Sequence, residues 1–174
     1  MSLAALFNRK SRNAVQALYG AIVAAARNPA FYAEWGVPDT LDGRFELIAL
    51  HAFLALRRLK QADDSAAFAQ ALFDTMFADL DRNLREMGVG DLSVGRQVKT
   101  MAKAFYGRVV AYERGLAGAD NLDDALRRNL YGTAVPDAAQ IAAAAAYVRH
   151  QARALDAVPA ERLLAGEFPL ALEG

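Results

Sequence analysis

The chain has 174 residues, with 20 basic and 20 acidic side chains, two histidines and no cysteine. This length is enough for one domain with a sizeable core, and an apolar fraction of 55% excludes a disordered chain. The neutral charge balance argues against a dedicated nucleic-acid binder, because affinity for phosphates needs a basic excess. The lack of cysteine excludes disulfides, thiolate metal sites and a cysteine nucleophile.

Residue usage points to one fold class. The chain contains 39 alanines but only 18 Val, Ile and Thr residues together. Alanine is the best helix former, whereas β-branched residues favour strands. We therefore expect an all-α fold, a single-domain bundle of about six to eight helices.

The first eleven residues are predicted to be a basic N-terminal tail, followed by a helical domain over residues 12–174. The basic cluster Arg9, Lys10 and Arg12 follows the short apolar start, which is the reverse of a signal peptide. Its alternative interpretations are a frayed tail and a contact with an anionic membrane face. No apolar run reaches the roughly 20 residues that a membrane span needs. We expect a cytoplasmic protein, with peripheral contact at the inner membrane as the alternative.

Helix signals recur along the whole chain. Ser11 is the predicted N-cap of a first helix over residues 12–27, and Asn28 with Pro29 opens a short aromatic helix. The third predicted helix is apolar on almost every side, which is typical of a central helix. The later helices are predicted to begin near Thr40 or Asp42, Asp63 and Asp64, Ser93, Asn121, Asp137 and Pro159.

The charges are unevenly distributed. Residues 1–60, 61–92, 93–118 and 119–174 carry net charges of +4, −5, +4 and −3. An acidic fourth helix is followed by a basic fifth helix through a glycine turn. We expect these two helices to form an antiparallel pair that attracts electrostatically. The alternative is that one charged face stays open for a partner.

An acidic cluster and a histidine are the candidates for metal or haem binding. Asp74, Asp79 and Asp81 suggest magnesium ligands, but no second acidic set faces them, so a solvated acidic face is the simpler interpretation. His51 lies on the apolar central helix and is either a haem or metal ligand or a core histidine that donates to a backbone carbonyl. No phosphate-binding loop or serine nucleophile elbow is present. We therefore assign no catalytic, cofactor-binding or metal-binding residue.

Five segments resemble the ubiquinol–cytochrome c chaperone family. They read N-P-x-F-Y-x-x-x-G-V-P-D-T-x-x-G-R-F-E (28–46), L-H-A-F-L (50–54), F-D-x-M-F-x-D-x-D-x-x-L-R-E-M-G-V-G-D (73–91), V-G-x-x-V-K-x-M-A-x-A-F-Y-G-R (94–108) and A-Y-E (111–113). The resemblance covers about residues 11–150, and residues beyond about 150 are expected to take no part in it. Because the chain starts almost at the domain, it looks like a bacterial member.

The resemblance implies a protein that binds and does not catalyse. Family members help to assemble the cytochrome bc1 complex of the respiratory chain by attending newly made cytochrome b. The implied partners are therefore nascent cytochrome b or another respiratory membrane subunit, with a small partner protein or the ribosome as further candidates and no direct nucleic-acid contact. No cofactor is implied.

A chaperone of this kind needs an open surface for apolar helices. The candidate partner-binding residues lie within or beside the matching segments. They are Trp35, Arg44, Arg85, Lys99, Lys103, Tyr106 and Arg108. Two alternatives remain open from the residues alone, namely an all-α enzyme acting on an isoprenoid or haem-like ligand, and a helical adaptor that is completed by a partner chain.

Overall fold

A computed structural model describes residues 3–132 and 134–170, and the side chains from residue 9 onward. This part of the chain folds into eight α-helices without a strand, which confirms the predicted all-α single domain. The helices are α1 (Leu3–Ala26), α2 (Pro29–Ala33), α3 (Leu41–Lys60), α4 (Ala66–Glu86), α5 (Asp91–Leu116), α6 (Leu122–Asn129), α7 (Ala138–Asp156) and α8 (Ala160–Leu164).

Helix α3 is the centre of the bundle, as its apolar sequence predicted. It packs against α1, α4, α7 and α8, and 12 of its 20 residues are buried. Helix α5 lies at the edge, where it packs mainly against α4 and α6. The long helices therefore differ in position, since α3 is central whereas only four of the 26 residues of α5 are buried.

Several predicted helix starts are confirmed by their cap geometry. The Asn28 side chain accepts a hydrogen bond from the Ala30 amide and precedes Pro29, the first residue of α2. Asp137 and Gln140 form a reciprocal capping box at α7. Thr40 Oγ1 accepts a hydrogen bond from the Gly43 amide at 3.1 Å and caps α3. These local signals satisfy amide groups that would otherwise lack partners.

Three predicted helix starts are wrong, and one of them is that of α5, which begins at Asp91 with Gly90 as its N-cap residue instead of at Ser93. Helix α1 begins at Leu3 and continues through Ser11, so Arg9, Lys10 and Arg12 lie on a helix, whereas residues 1 and 2 lie outside the described part. No proline or glycine precedes Ser11 to stop the helix there. Helix α4 is capped at Ser65 instead of Asp63 or Asp64, and the Ser65 hydroxyl bonds the Leu59 carbonyl oxygen at 2.5 Å.

The contact between α4 and α5 is aromatic, and among the described residues no carboxylate of α4 forms an ion pair with a cation of α5, so the electrostatic attraction of the two helices stays a prediction. The rings of Phe73 and Phe77 on α4 lie 5.8 and 6.1 Å from that of Phe105 on α5. Among the described residues, the ion pair between these helices joins Arg85 of α4 to Asp91 of α5, which reverses the expected signs. Ring burial therefore holds this pair of helices together.

No helix in the described part of the chain has both the length and the apolar character that crossing a membrane requires.

Candidate functional site

An open cleft lies between α1, α2, the start of α3 and the end of α4. We call it the α1–α4 cleft, and its volume is about 980 Å³. Two of the segments singled out in the sequence, 28–46 and 73–91, supply most of its walls. The lining residues are Tyr19, Ala26, Arg27, Pro29, Tyr32, Ala33, Asp39, Leu41, Arg44, Phe45, Ile48, Met76, Asp79, Leu80, Asn83, Glu86 and Met87.

The wall contributed by α3 depends on a tight turn before that helix. A Cβ atom at Gly43 would lie 1.9 Å from the Pro38 carbonyl oxygen, so only glycine permits this approach of the turn to the helix. The turn also brings Asp39 beside Arg44, whose Nε donates to Asp39 Oδ1 at 2.7 Å. This hydrogen bond holds the pKa of the Asp39 carboxyl below its ordinary value. The turn and the hydrogen bond to Asp39 thus fix Arg44 at the mouth of the cleft.

The floor of the α1–α4 cleft is apolar. Phe45, Met76 and Leu80 are each no more than 5% exposed and form its base. At the mouth, Leu41 and Met87 are 40% and 54% exposed, which is unusual for large apolar side chains. A cleft with an apolar floor and apolar groups at its edge suits a ligand that is itself apolar.

Two polar residues of the cleft wall, Tyr19 and Asp79, are partners of each other. The Tyr19 hydroxyl donates to Asp79 Oδ2 at 2.9 Å, and Arg82 lies 3.4 Å from the other oxygen of that carboxylate. Burial, and then the hydrogen bond to Asp79, raise the pKa of Tyr19. Asp79 is therefore a structural acceptor for α1, and not a free carboxylate aimed at the cleft.

The other two members of the acidic group are also engaged. Asp81 is bound by Arg85 on the same helix, and exposed Asp74 accepts from the Gln70 amide at 2.8 Å. Within the described residues, no three His, Cys, Asp or Glu side chains lie where they could share a metal ion. The solvated acidic face is thus the better interpretation of Asp74 and Asp81.

His51 is a core histidine. It is fully buried, its Nδ1 lies 2.7 Å from the Leu47 carbonyl oxygen, and its Nε2 lies 2.7 Å from the Tyr147 hydroxyl. Because the carbonyl can only accept, Nδ1 carries the proton and Nε2 accepts from Tyr147. Burial lowers the pKa of His51 to about 4, so the ring is neutral at neutral pH. With both nitrogens engaged, the interpretation as a core residue holds and a role as a haem ligand has no support.

The seven predicted partner-binding residues do not form one surface. Arg44 lies in the wall of the cleft, where its side chain is 62% exposed. Arg85 lies near the end of α4, where it bridges Asp81 and Asp91. Trp35 is partly buried, and the centroid of its ring lies 4.6 Å from that of the Phe31 ring.

The other predicted residues belong to α5. Lys99 and Lys103 are exposed, and Tyr106 is 58% exposed. Tyr106 borders a second, smaller hollow of about 270 Å³ between α3, α4 and α5. Arg108 instead points inward and forms a bidentate ion pair with Glu46 of α3. With its side chain 16% exposed, Arg108 joins two helices and offers little to a partner.

Sequence reasoning missed the apolar mouth of the cleft. The spacing of Met87 from the apolar residues Leu80 and Leu84 favours an inward side chain, but Met87 is the C-cap residue of α4 and points outward. The next residue, Gly88, has a φ of 83°, which ends the helix and turns the chain away. Gly88 was the signal in the sequence, because a glycine there predicts that the helix ends at Met87. A side chain at the end of a helix need not face the core.

Comparisons with known proteins agree with one another. The family model described as ubiquinol-cytochrome C chaperone matches residues 33–171. The crystal structure of the Cbp3 homolog from Brucella abortus is similar, with 39% sequence identity, a TM-score of 0.84, and coverage of 97% of this chain and 96% of that one.

Curated relatives are more distant in sequence. The ubiquinol-cytochrome-c reductase complex assembly factor 1 of Xenopus laevis is 28% identical over 136 residues, which are 77% of this chain and 68% of the relative. The proteins of the same name from Drosophila melanogaster and Mus musculus are 26% and 27% identical, over 90% and 89% of this chain. The chain spans 64% and 53% of the length of these two relatives.

The extent of the match corrects one expectation. The segment beyond about residue 150 was expected to stand outside the resemblance, but the family model continues to residue 171. The structure gives a reason, because Phe168 is buried and its ring lies 6.1 Å from His51. The end of the described chain is therefore part of the same domain.

Proposed function

Since this chain belongs to the ubiquinol–cytochrome c chaperone family, we propose that it is a non-enzymatic assembly chaperone for the ubiquinol–cytochrome c reductase complex. Its client is a membrane subunit of that complex, and cytochrome b is the first candidate. The chain acts by covering apolar helical surface of the client before the subunit reaches its final partners.

The observation that carries this proposal is the α1–α4 cleft. An amphipathic or apolar helix presents side chains at every third or fourth position, and such side chains bind in grooves with an apolar floor. Phe45, Met76 and Leu80 provide that floor, and Leu41 and Met87 extend it to the mouth. Methionine adapts its shape to different partners, which suits a surface that must accept an incompletely folded client.

Charged groups at the mouth supply orientation. Arg27 and Glu86 line the cleft and make no ion pair within the described part of the chain, and Arg44 is bound on one side by Asp39. A client helix with a polar end can therefore meet both charge signs at the mouth. Such contacts favour one direction of insertion more than they add affinity.

The alternative of an enzyme lacks a supporting observation. Asp79 is held by Tyr19, and both nitrogens of His51 have partners in the core. The cleft thus offers shape and apolar surface, and the two residues considered for catalysis or metal binding, Asp79 and His51, already have structural partners.

The test is capture of the client from solubilised membranes that contain the reductase complex. The unaltered chain is expected to retain cytochrome b, whereas Leu41→Glu with Met87→Glu is expected to retain about tenfold less, because two charges would have to be buried against apolar client surface. Val135→Glu with Ala139→Glu is the matched control, since both positions are exposed and lie outside the cleft.

Two outcomes of the capture experiment would contradict the proposal. Equal retention by the cleft variant and the control would remove the cleft as the binding site. Failure of the unaltered chain to retain cytochrome b, with another subunit retained instead, would remove cytochrome b as the client.

A further inference from the structure

Helix α5 has an outer face that the described protein leaves largely uncovered, although Tyr106 at its border touches another helix, with its ring 5.5 Å from that of Phe73 on α4. Six residues spaced three or four positions apart lie along one side of the helix. We call them the α5 outer face, and they are Leu92, Arg96, Lys99, Lys103, Tyr106 and Val110. Leu92 is 92% exposed, and Tyr106 and Val110 are each 58% exposed.

The orientation of α5 follows from its opposite side. Val94, Phe105 and Tyr112 are at most 1% exposed and pack into the core. The ion pair between Arg108 and Glu46 adds a second constraint, because it ties the inner side to α3. The helix is therefore fixed in rotation, and its outer face points away from the bundle.

The cations of this face are not compensated. Arg96, Lys99 and Lys103 form no ion pair among the described residues. The sequence between Leu92 and Tyr112 contains no acidic residue. The acidic residues at the two ends of α5 are already paired, since Asp91 binds Arg85 and Glu113 lies 3.3 Å from Arg57.

We propose that the α5 outer face is a docking surface for an anionic lipid bilayer. Cations near the surface are attracted by lipid phosphates, and exposed Leu, Val and Tyr side chains can enter the boundary between headgroups and acyl chains. The spacing from Leu92 to Val110 corresponds to roughly 27 Å of straight helix, which suits a flat surface. Lysine supports this geometry, because its long stem lies along apolar surface while its ammonium group reaches the phosphates.

The pattern favours a bilayer over two other anionic partners. A nucleic acid would use the cations but would leave Leu92 and Val110 in contact with a charged backbone. A protein interface usually has a contiguous apolar centre and a polar rim, whereas here Lys99 and Lys103 separate the apolar side chains. This inference is independent of the proposed client and of the α1–α4 cleft.

The test is sedimentation of the full chain with vesicles. We expect binding to phosphatidylcholine vesicles that contain phosphatidylglycerol, weak binding to pure phosphatidylcholine, and a decrease with rising salt. Replacement of Arg96, Lys99 and Lys103 with Glu is expected to reduce the bound fraction about tenfold or more at equal lipid. The matched control carries Glu at Arg127, Arg128 and Arg153, which are exposed on α6 and α7, and it is expected to bind like the unaltered chain.

A third variant tests whether the other basic cluster of the chain, near its N-terminus, contributes to vesicle binding. Replacement of Arg9, Lys10 and Arg12 with Glu is expected to leave most of the binding in place. If this variant loses binding while the α5 variant keeps it, the proposal is wrong. It is also wrong if the chain binds single-stranded RNA but no vesicle, or if the control loses as much binding as the α5 variant.

Contact depth gives a second readout that does not depend on charge reversal. The chain has no cysteine, so Leu92→Cys and Val110→Cys can each carry one polarity-sensitive dye. Both dyes are expected to shift to the blue on anionic vesicles, whereas a dye at Val135→Cys is expected to keep its emission. A shift at Val135 with none at Leu92 and Val110 would place the bilayer on another face.

Discussion

Helices α3 and α5 show two ways of using polar residues in one bundle. Helix α3 takes His51, Glu46 and Arg58 into or beside the core and gives each a partner, since Arg58 donates to the carbonyl oxygens of Leu155 and Val158. Helix α5 is longer, yet only four of its 26 residues are buried. The central helix thus specifies the fold through satisfied polar contacts, whereas the edge helix leaves Arg96, Lys99 and Lys103 without an ion pair among the described residues.

Two ion pairs join the two helices, Arg108 with Glu46 and Arg57 with Glu113, and breaking the more buried pair, that of Arg108, is expected to have the largest effect. In Arg108→Met, the Glu46 carboxylate would stay largely buried without its cation. Burial already raises the pKa of Glu46, and Arg108 opposes that rise. We expect the free energy of unfolding to fall by about 3–5 kcal/mol, measured by chemical denaturation.

A matched variant on the same helix tests whether burial is the cause. Arg114 pairs with Asp120 at the surface, and Arg114→Met is expected to change the free energy of unfolding far less than Arg108→Met does. Replacement of both Glu46 and Arg108 by Leu and Met should recover most of the loss, because no buried charge remains. Equal losses in the Arg108 and Arg114 variants would mean that the pair is not a constraint between α3 and α5.

The second prediction concerns the pH dependence contributed by α3. The pKa of His51 is about 4 in the folded chain and about 6.5 when unfolded. As the pH falls through this interval, the unfolded state takes up a proton before the folded state does, so stability decreases. From pH 7 to pH 4.5, we expect this group to remove about 2–3 kcal/mol of stability.

The measurement is the loss of unfolding free energy between the two pH values. His51→Gln should show a loss smaller by that amount, whatever its stability at pH 7. His150→Gln is the control, because His150 is only partly buried near the end of α7. If both variants keep the full loss, carboxylate groups and not His51 cause the acid sensitivity.

The same contrast explains what could be predicted from the sequence. The caps at Thr40, Asn28 and Asp137 were predictable because each depends on residues at most three positions apart. The central place of α3 was predictable from its apolar surface. The start of α1 was not, because an N-cap residue such as Ser11 does not stop a helix unless the chain turns there.

The candidate site was only partly predictable. Arg44 was named as a candidate partner-binding residue, and that role stays a prediction, whereas the α1–α4 cleft that it lines forms from four helices and has no local pattern in the sequence. Arg108 was misjudged because its distance from Glu46, 62 positions along the chain, hides the ion pair. The net charges of α4 and α5 give no sign of the aromatic rings that fill the contact between the two helices.

The smallest expected effect comes from the outer side of α5, in the charge reversal Lys99→Glu with Lys103→Glu. Neither lysine has an ionic partner within the described residues. The two positions are four apart and repel each other equally before and after the change. Urea denaturation at low and high salt should therefore give free energies of unfolding within about 0.5 kcal/mol of the unaltered chain.

The same double reversal is expected to weaken vesicle binding and to leave client capture through the α1–α4 cleft unchanged. A loss above about 1 kcal/mol that disappears in high salt would instead show that these lysines attract the acidic helix α4 across the contact. If the free energy of unfolding is unchanged while vesicle binding is weakened, Lys99 and Lys103 act on a surface outside the protein. Their charges then make no contribution to the stability of the fold.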